Sequence, residues 1–157
     1  MTDIESYPTR RSVLTLLAAA LLPISTAPAT DQLSITVHKD QNCGCCSGWV
    51  RHLQENGFAA RIVETTQLDA VRKRLGVPDD LAACHTAILA GYVVEGHVPV
   101  KALKRILAER PQATGLAVPG MPGGSPGMSG PEETYEVVLF GPTGQRTYMR
   151  FSGDREV

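Results

Sequence analysis

From residue 33 onwards, the order of apolar and polar residues predicts a series of strands and helices. Residues 33–38 (Leu-Ser-Ile-Thr-Val-His) alternate as in a strand with one buried face. A helix follows, because apolar residues recur at the spacing i, i+3, i+4 and i+7, namely at Cys46, Trp49, Val50 and Leu53. Asn56-Gly57 predicts a left-handed end to this helix, and residues 58–64 predict a second strand.

A second helix is predicted next. Thr65 or Thr66 can cap it, and Gly76 and Pro78 stop it. Its apolar stripe is Leu68, Val71 and Leu75. Residues 79–85 predict a loop or short turn.

Two strands and a third helix complete the first part of the pattern. Residues 86–90 and 92–97 predict strands separated by Gly91, and Pro99 begins a helix that ends before Pro111. The resulting order, β-α-β-α-β-β-α, is that of a thioredoxin-like α/β domain. The cysteine-rich loop lies between the first strand and the first helix, where thioredoxin-like proteins carry their reactive sulfurs.

The remainder of the chain has a different composition. Residues 115–131 contain six glycines and four prolines, which predicts an extended loop without a regular element. Residues 135–140 and 145–151 flank Gly141-Pro142-Thr143-Gly144, which predicts a C-terminal β-hairpin.

The N-terminus has the pattern of a bacterial export signal. Arg10-Arg11 precedes an apolar run from Leu14 to Leu22 and a cleavage pattern that ends at Ala29. The paired arginines favour a twin-arginine signal, with a Sec signal as the alternative. We therefore expect residues 1–29 to be removed and residues 30–157 to form one periplasmic domain. The apolar run is shorter than the roughly 20 residues that cross a bilayer, so we expect no stable membrane insertion after cleavage.

Charge and length limit the possible function classes. The chain has 157 residues, is 43% hydrophobic and carries a formal net charge of −1. A nucleic-acid-binding protein would normally carry a basic patch, so the near-neutral charge argues against a nucleic-acid partner. The four cysteines are the residues whose pattern indicates a function.

Three of the four cysteines lie within four residues, at Cys43, Cys45 and Cys46. The Cα atoms of the neighbouring residues Cys45 and Cys46 are about 3.8 Å apart. An unstrained disulfide needs at least about 4.4 Å, so the spacing favours ligands over disulfides. A disulfide with spare thiols remains the structural alternative. The expected position at a helix N-terminus favours the thiolate form that metals and redox chemistry require.

The expected metal is copper. Thiolates suit Cu(I), Zn(II) and iron–sulfur clusters. Four thiolates around one Zn²⁺ leave two net negative charges, whereas several Cu(I) ions bridged by the same thiolates can form a neutral group. Adjacent sulfurs can also reach different ions, so we expect polynuclear Cu(I). Two other functions stay open: a thiol–disulfide oxidoreductase that uses Cys43 and Cys46, and a structural zinc module.

Cys84 supplies the fourth sulfur, and its strand is expected to begin beside the first helix. A buried, packing cysteine is the alternative there. Lower-ranked candidate ligands are His85, His97, Met121 and Met128. The alternative for His85 is a surface or hydrogen-bonding role, and the alternative for His97 is that it caps a helix. For the two methionines, the alternative to a ligand role is hydrophobic packing under a long loop. No residue is assigned a catalytic role.

Four segments together resemble a known bacterial family. They are Cys43-Gly-Cys-Cys-Ser-Gly-Trp49, Cys84-His-Thr-Ala87, Gly91-Tyr-Val-Val-Glu-Gly-His-Val-Pro99 and the run from Gly115 to Met128. They resemble the CopG-type family of small metal-binding proteins that accompany copper-resistance genes, which is distinct from the DNA-binding repressor of that name. The resemblance implies a thioredoxin-like fold and copper binding by the four cysteines.

The same resemblance suggests a redox role, in which the protein interconverts Cu(I) and Cu(II). The expected function is thus a periplasmic copper-binding protein of copper resistance. Its expected partners are copper ions and other periplasmic copper-handling proteins.

Overall fold

The structure, a computed structural model, describes residues 33–157 of the chain. Two β-α units form the first part of this range. Their elements are β1 (Leu33–Lys39), α1 (Gly44–Glu55), β2 (Phe58–Glu64) and α2 (Leu68–Leu75). A short 3-10 helix at Asp79–Leu81 leads to β3 (His85–Leu89), β4 (Tyr92–Glu95) and α3 (Val100–Glu109). The predicted order β-α-β-α-β-β-α is confirmed.

Helix α1 buries the face that its pattern predicted, whereas of the predicted α2 stripe only Val71 is buried and Leu68 and Leu75 are half-buried. In α1 the stripe Cys46, Trp49, Val50 and Leu53 is buried. The indole Nε1 of Trp49 donates a hydrogen bond of 2.9 Å to the carbonyl oxygen of Val98, which fastens α1 to the loop before α3. The predicted cap of α2 is wrong in detail: its N-cap is Gln67, which makes no side-chain cap bond, and Thr65 Oγ1 accepts from the Gln67 N–H instead.

One mixed sheet runs through the described chain. Its order is β2-β1-β3-β4-β5-β6-β7-β8, where β5 is Gly115–Ala117, β6 is Thr134–Gly141, β7 is Gly144–Ser152 and β8 is Arg155–Glu156. β1 is parallel to β2 and β4 is parallel to β5, while the other neighbours are antiparallel. The predicted C-terminal hairpin is β6 and β7.

The prediction of a continuous loop over residues 115–131 is wrong at its start. Gly115 to Ala117 form β5, an inner strand between β4 and β6. A Cβ on Gly115 would overlap the backbone of Val93, so glycine permits the close approach of these two strands. Glycine content therefore indicated a loop where it marks a tightly packed strand.

The main core lies between α1, α3 and the sheet, and includes Ile35, Trp49, Leu103, Ile106 and Phe151. Among residues 33–157, no helix is long and apolar enough to cross a membrane. The predicted export signal at residues 1–29 lies outside the described residues and stays a prediction.

Candidate metal centre

A tight turn delivers three cysteines to the start of α1. The backbone N–H of Asn42 donates to Asp40 Oδ1 at 2.8 Å, and the N–H of Cys43 donates to the Asp40 carbonyl oxygen at 3.1 Å. Cys43 is the N-cap of α1. Cys45 and Cys46 therefore lie in the first turn, where Cys46 is buried and Cys45 is half-buried.

Cys84 approaches the same point from the sheet. It directly precedes β3, whose first residue His85 pairs with Lys39 at the end of β1. The Sγ of Cys84 lies 3.8 Å from the Sγ of Cys45, which lies 3.5 Å from the Sγ of Cys43. All four sulfurs lie within 4.8 Å of one another. We refer to Cys43, Cys45, Cys46 and Cys84 as the cysteine cluster; it is a group that can hold a metal.

Cys43 and Cys46 are joined by a disulfide, while Cys45 and Cys84 are free thiols. The expectation of ligands over disulfides is therefore wrong for Cys43 and Cys46 in this structure, because the short Cα distance excludes a disulfide only between the adjacent residues Cys45 and Cys46. Cys43 and Cys46 are one helical turn apart, with Cα atoms at 5.4 Å, inside the usual disulfide range. The structure is thus the oxidised form of the cluster, and reduction of this bond gives four thiols.

Burial changes the acid–base chemistry of Cys84. Loss of solvent, and after it the neighbouring Cys45 thiol, raises the pKa of Cys84 to about 12. In the metal-free protein Cys84 is therefore a protonated thiol at neutral pH. Its hydrogen must leave before the sulfur can bind a metal as a thiolate.

Two buried imidazoles lie behind Cys84. His97 Nε2 is 3.1 Å and His85 Nδ1 is 3.3 Å from the Sγ of Cys84. Burial lowers the pKa of both imidazoles, that of His85 well below its ordinary value, with His97 as the second cause for His85. His97 is not a helix cap, because the N-cap of α3 is Pro99. The histidines that the sequence ranked low are in contact with the cysteine cluster.

The Gly/Pro-rich loop (residues 118–131) covers this end of α1. A Cβ on Gly48 would lie 2.8 Å from the carbonyl oxygen of Gly127, so the two backbones touch. The preceding carbonyl, of Pro126, accepts a hydrogen bond of 2.7 Å from His97 Nδ1. Met121 is exposed and lines a shallow depression with Cys84, whereas Met128 is half-buried. The loop brings Met121 near the cluster, and a ligand role for either methionine stays a prediction.

The sequence analysis gave no role to Glu95, a carboxylate that binds Ala83 and Thr86, the residues on either side of Cys84-His85. Glu95 is fully buried, and its Oε1 accepts from Arg72 Nε at 2.9 Å and from the Ala83 N–H at 2.7 Å. Its Oε2 accepts from Thr86 Oγ1 at 2.6 Å. Arg72 also donates to the carbonyl oxygen of Ala83. The sequence contained one indication of this role, namely a charged residue at the end of the otherwise apolar strand Tyr92–Glu95.

The fold and the cluster define a small mixed α/β protein with a cysteine-rich candidate metal centre. The family model described as "Protein of unknown function, DUF411" matches residues 81–128. Two solved structures, forms 2 and 1 of copper resistance protein CopG, are each 42% identical to the chain with a TM-score of 0.73. They cover 77% and 78% of this chain, and the chain covers 99% and 100% of theirs.

The chain belongs to the CopG family, as its sequence motifs indicated. A comparison with curated proteins gives no match.

Proposed function

We propose that this protein is a periplasmic copper-binding protein of copper resistance that holds several Cu(I) ions on the reduced cysteine cluster. The observation that carries the proposal is the meeting of four sulfurs within 4.8 Å at the start of α1. The name of the CopG structures, copper resistance protein, supports copper as the metal.

The donor set fits Cu(I). Thiolates are soft ligands that suit Cu(I), Zn(II) and iron–sulfur clusters, and the name of the CopG structures favours copper among these metals. Cys43, Cys45 and Cys46 come from one helical turn, and Cys84 comes from the residue before β3. Adjacent residues such as Cys45 and Cys46 are suited to different ions, which supports a cluster over a single tetrahedral ion.

We also propose a thioredoxin-like fold for the part from β1 to α3. The order β2-β1-β3-β4, with β1 parallel to β2 and antiparallel to β3, supports it. The cysteine cluster then lies between the first strand and the first helix, the position of reactive sulfurs in such proteins. Export by the Arg10-Arg11 signal would place the cluster in the periplasm.

The test is an anaerobic Cu(I) titration of the fully reduced mature protein against a coloured chelator. We expect more than one Cu(I) per chain. The matched control is the same protein with the Cys43–Cys46 disulfide intact, where two sulfurs are blocked and the capacity should fall. A stoichiometry of one would overturn the cluster. Protein isolated from periplasm with zinc and no copper would overturn copper binding.

The Cys43–Cys46 disulfide favours a second candidate function, thiol–disulfide exchange with protein substrates. An insulin-reduction assay of the reduced, metal-free protein beside thioredoxin separates the two functions. We expect slow turnover, because the Cys45 thiol lies 3.5 Å from Cys43 Sγ and 3.8 Å from Cys84 Sγ, so that other disulfide arrangements compete with this pair. Turnover at the rate of thioredoxin would favour the second function.

A further inference from the structure

The backbone directly before Cys84 belongs to no helix or strand. Residues 82–84 join the 3-10 helix to β3, so Ala83 finds no hydrogen-bond partner in a regular element. Its N–H donates to Glu95 Oε1 at 2.7 Å, and its carbonyl oxygen accepts from Arg72. Both polar groups of this residue are therefore bonded by the side chains of one ion pair, which come from β4 and α2.

The carboxylate of this pair is bonded on both sides of Cys84. Glu95 is fully buried, and the oxygen that accepts from Ala83 also accepts from Arg72 Nε at 2.9 Å. The other oxygen accepts from the buried Thr86 hydroxyl at 2.6 Å. One rigid group thus connects the residue before Cys84 with the first turn of β3.

Stability alone does not account for a buried ion pair at this place. The cost of removing two charges from water offsets much of their attraction, so apolar side chains of similar volume often stabilise a fold equally well. An apolar pair would offer no acceptor for the Ala83 N–H and no donor for its carbonyl oxygen. What the charged pair adds is a fixed Ala83 peptide, next to a sulfur that lies 3.8 Å from the Sγ of Cys45.

We propose that Arg72 and Glu95 are positioning residues that hold the Cys84 sulfur where it can share a metal with Cys45. This inference rests on the proposed function, since it treats Cys84 as a ligand of the metal cluster. Neither Arg72 nor Glu95 is itself a ligand. They act on the ligand through the Ala83 peptide, as outer partners do that orient metal-binding residues.

The test measures whether the two free thiols can reach one atom, without using copper. The probe is phenylarsine oxide, which binds tightly where two thiols can bond the same arsenic. Two As–S bonds form, the As–O double bond breaks, and the two thiol hydrogens leave with the oxygen as water. The mature protein is used with its Cys43–Cys46 disulfide intact, so that Cys45 and Cys84 are the free thiols. We expect one arsenic per chain by mass spectrometry.

Variants of the ion pair test the positioning role. Arg72→Met combined with Glu95→Leu removes both charges and keeps most of the volume. We expect this double variant to fold, as thermal unfolding will show, and to bind the arsenical about 10- to 100-fold more weakly. Glu95→Gln keeps an oxygen for the Ala83 N–H, so we expect it to retain affinity close to that of the wild type. The matched control is Asp69→Ala, which removes only the exposed partner of Arg72 and should change nothing.

Two results would overturn the positioning role. One is unchanged arsenical affinity in the folded double variant. The other is an equal loss in Glu95→Gln, which would assign the effect to the charge instead of the hydrogen bond.

Two further measurements decide the question if the double variant does not fold. In the wild-type protein, the Ala83 amide hydrogen should exchange with solvent as slowly as the paired amides of β3. Arg72→Lys keeps the positive charge but loses the forked donor that reaches both Glu95 and Ala83, so it should also weaken arsenical binding. Fast exchange at Ala83, or full affinity in Arg72→Lys, would contradict the proposal.

Different results contradict the proposed function and the positioning role. Absence of Cu(I) binding by the reduced wild-type protein contradicts the proposed function, whatever the arsenical does. Normal Cu(I) binding by the reduced wild-type protein, together with unchanged arsenical binding by the folded double variant, contradicts this inference alone.

Discussion

Gly48 of α1 and Gly127 of the Gly/Pro-rich loop are in direct backbone contact, since a Cβ atom on Gly48 would lie 2.8 Å from the Gly127 carbonyl oxygen. Because Pro126 precedes Gly127 and accepts the hydrogen bond of His97, this contact also determines where the acceptor lies. The absence of a side chain at Gly48 therefore allows the loop to place the Pro126 carbonyl beside His97.

We expect Gly48→Ala to lower the free energy of unfolding by about 1–3 kcal/mol, the usual cost of an overpacked contact. The loop backbone must move to admit the methyl group. Gly44→Ala is the matched control, because Gly44 lies in the same helix and a Cβ on it would meet no atom within 4 Å. Urea denaturation of both variants checks this. Equal stability of the two variants would contradict the contact.

We expect Glu95→Ala to lower the free energy of unfolding by about 3–5 kcal/mol, because it leaves the Arg72 guanidinium and the Ala83 N–H without their buried acceptor. The control is Asp69→Ala, which removes the exposed partner of the same arginine, with a side chain 88% accessible. An exposed pair contributes about 0–1 kcal/mol. Comparable losses in the two variants would show that Glu95 is not the main anchor of Arg72.

We expect Cys84→Ser to reduce the Cu(I) capacity of the reduced protein while the metal-free fold survives. The change removes a thiolate that the other ligands of the cluster cannot replace, whereas a hydroxyl at this half-buried position costs about 1–3 kcal/mol if poorly paired. Copper stoichiometry and thermal unfolding are measured on one preparation, with Ser47→Ala as the exposed control on α1. Unchanged copper binding with lowered stability would assign Cys84 to packing alone.

We expect alkylation of Cys84 to be slow at pH 8 and to accelerate about tenfold per pH unit, without a plateau below about pH 11. The thiolate is the reactive form, and a pKa raised to about 12 keeps the thiol protonated over this range. The measurement uses iodoacetamide and mass spectrometry on metal-free protein with the disulfide intact. A plateau near pH 9 would mean that burial does not protect this thiol.

We expect replacement of Arg10 and Arg11 by lysine to block export, since the twin-arginine route depends on that pair. The full-length precursor should accumulate in the cytoplasm. Cell fractionation and N-terminal sequencing of the product measure the effect. Normal processing after Ala29 in this variant would indicate a Sec signal.

Local sequence patterns were sufficient for most of the elements. The stripe from Cys46 to Leu53 predicted α1 and its buried face, and residues 58–64 predicted β2 with its observed bounds. The spacing of Cys43, Cys45 and Cys46 predicted three members of the cysteine cluster, and the expected strand order predicted the fourth, Cys84. Such features depend on a few neighbouring residues, because the repeat of a helix or strand is visible within a short window.

The tertiary structure decided what the local pattern left open. It placed β5 within a glycine-rich segment, joined Cys43 to Cys46 and buried Glu95 under the Ala83–Cys84 backbone. It also moved His97 from a possible helix cap to contact with Cys84, with Pro126 setting its ring orientation. Except for the disulfide, the contacts that decide these features join residues that are 12 to 29 positions apart in the chain. They depend on strand order and loop packing, and no single segment of the sequence contains that information.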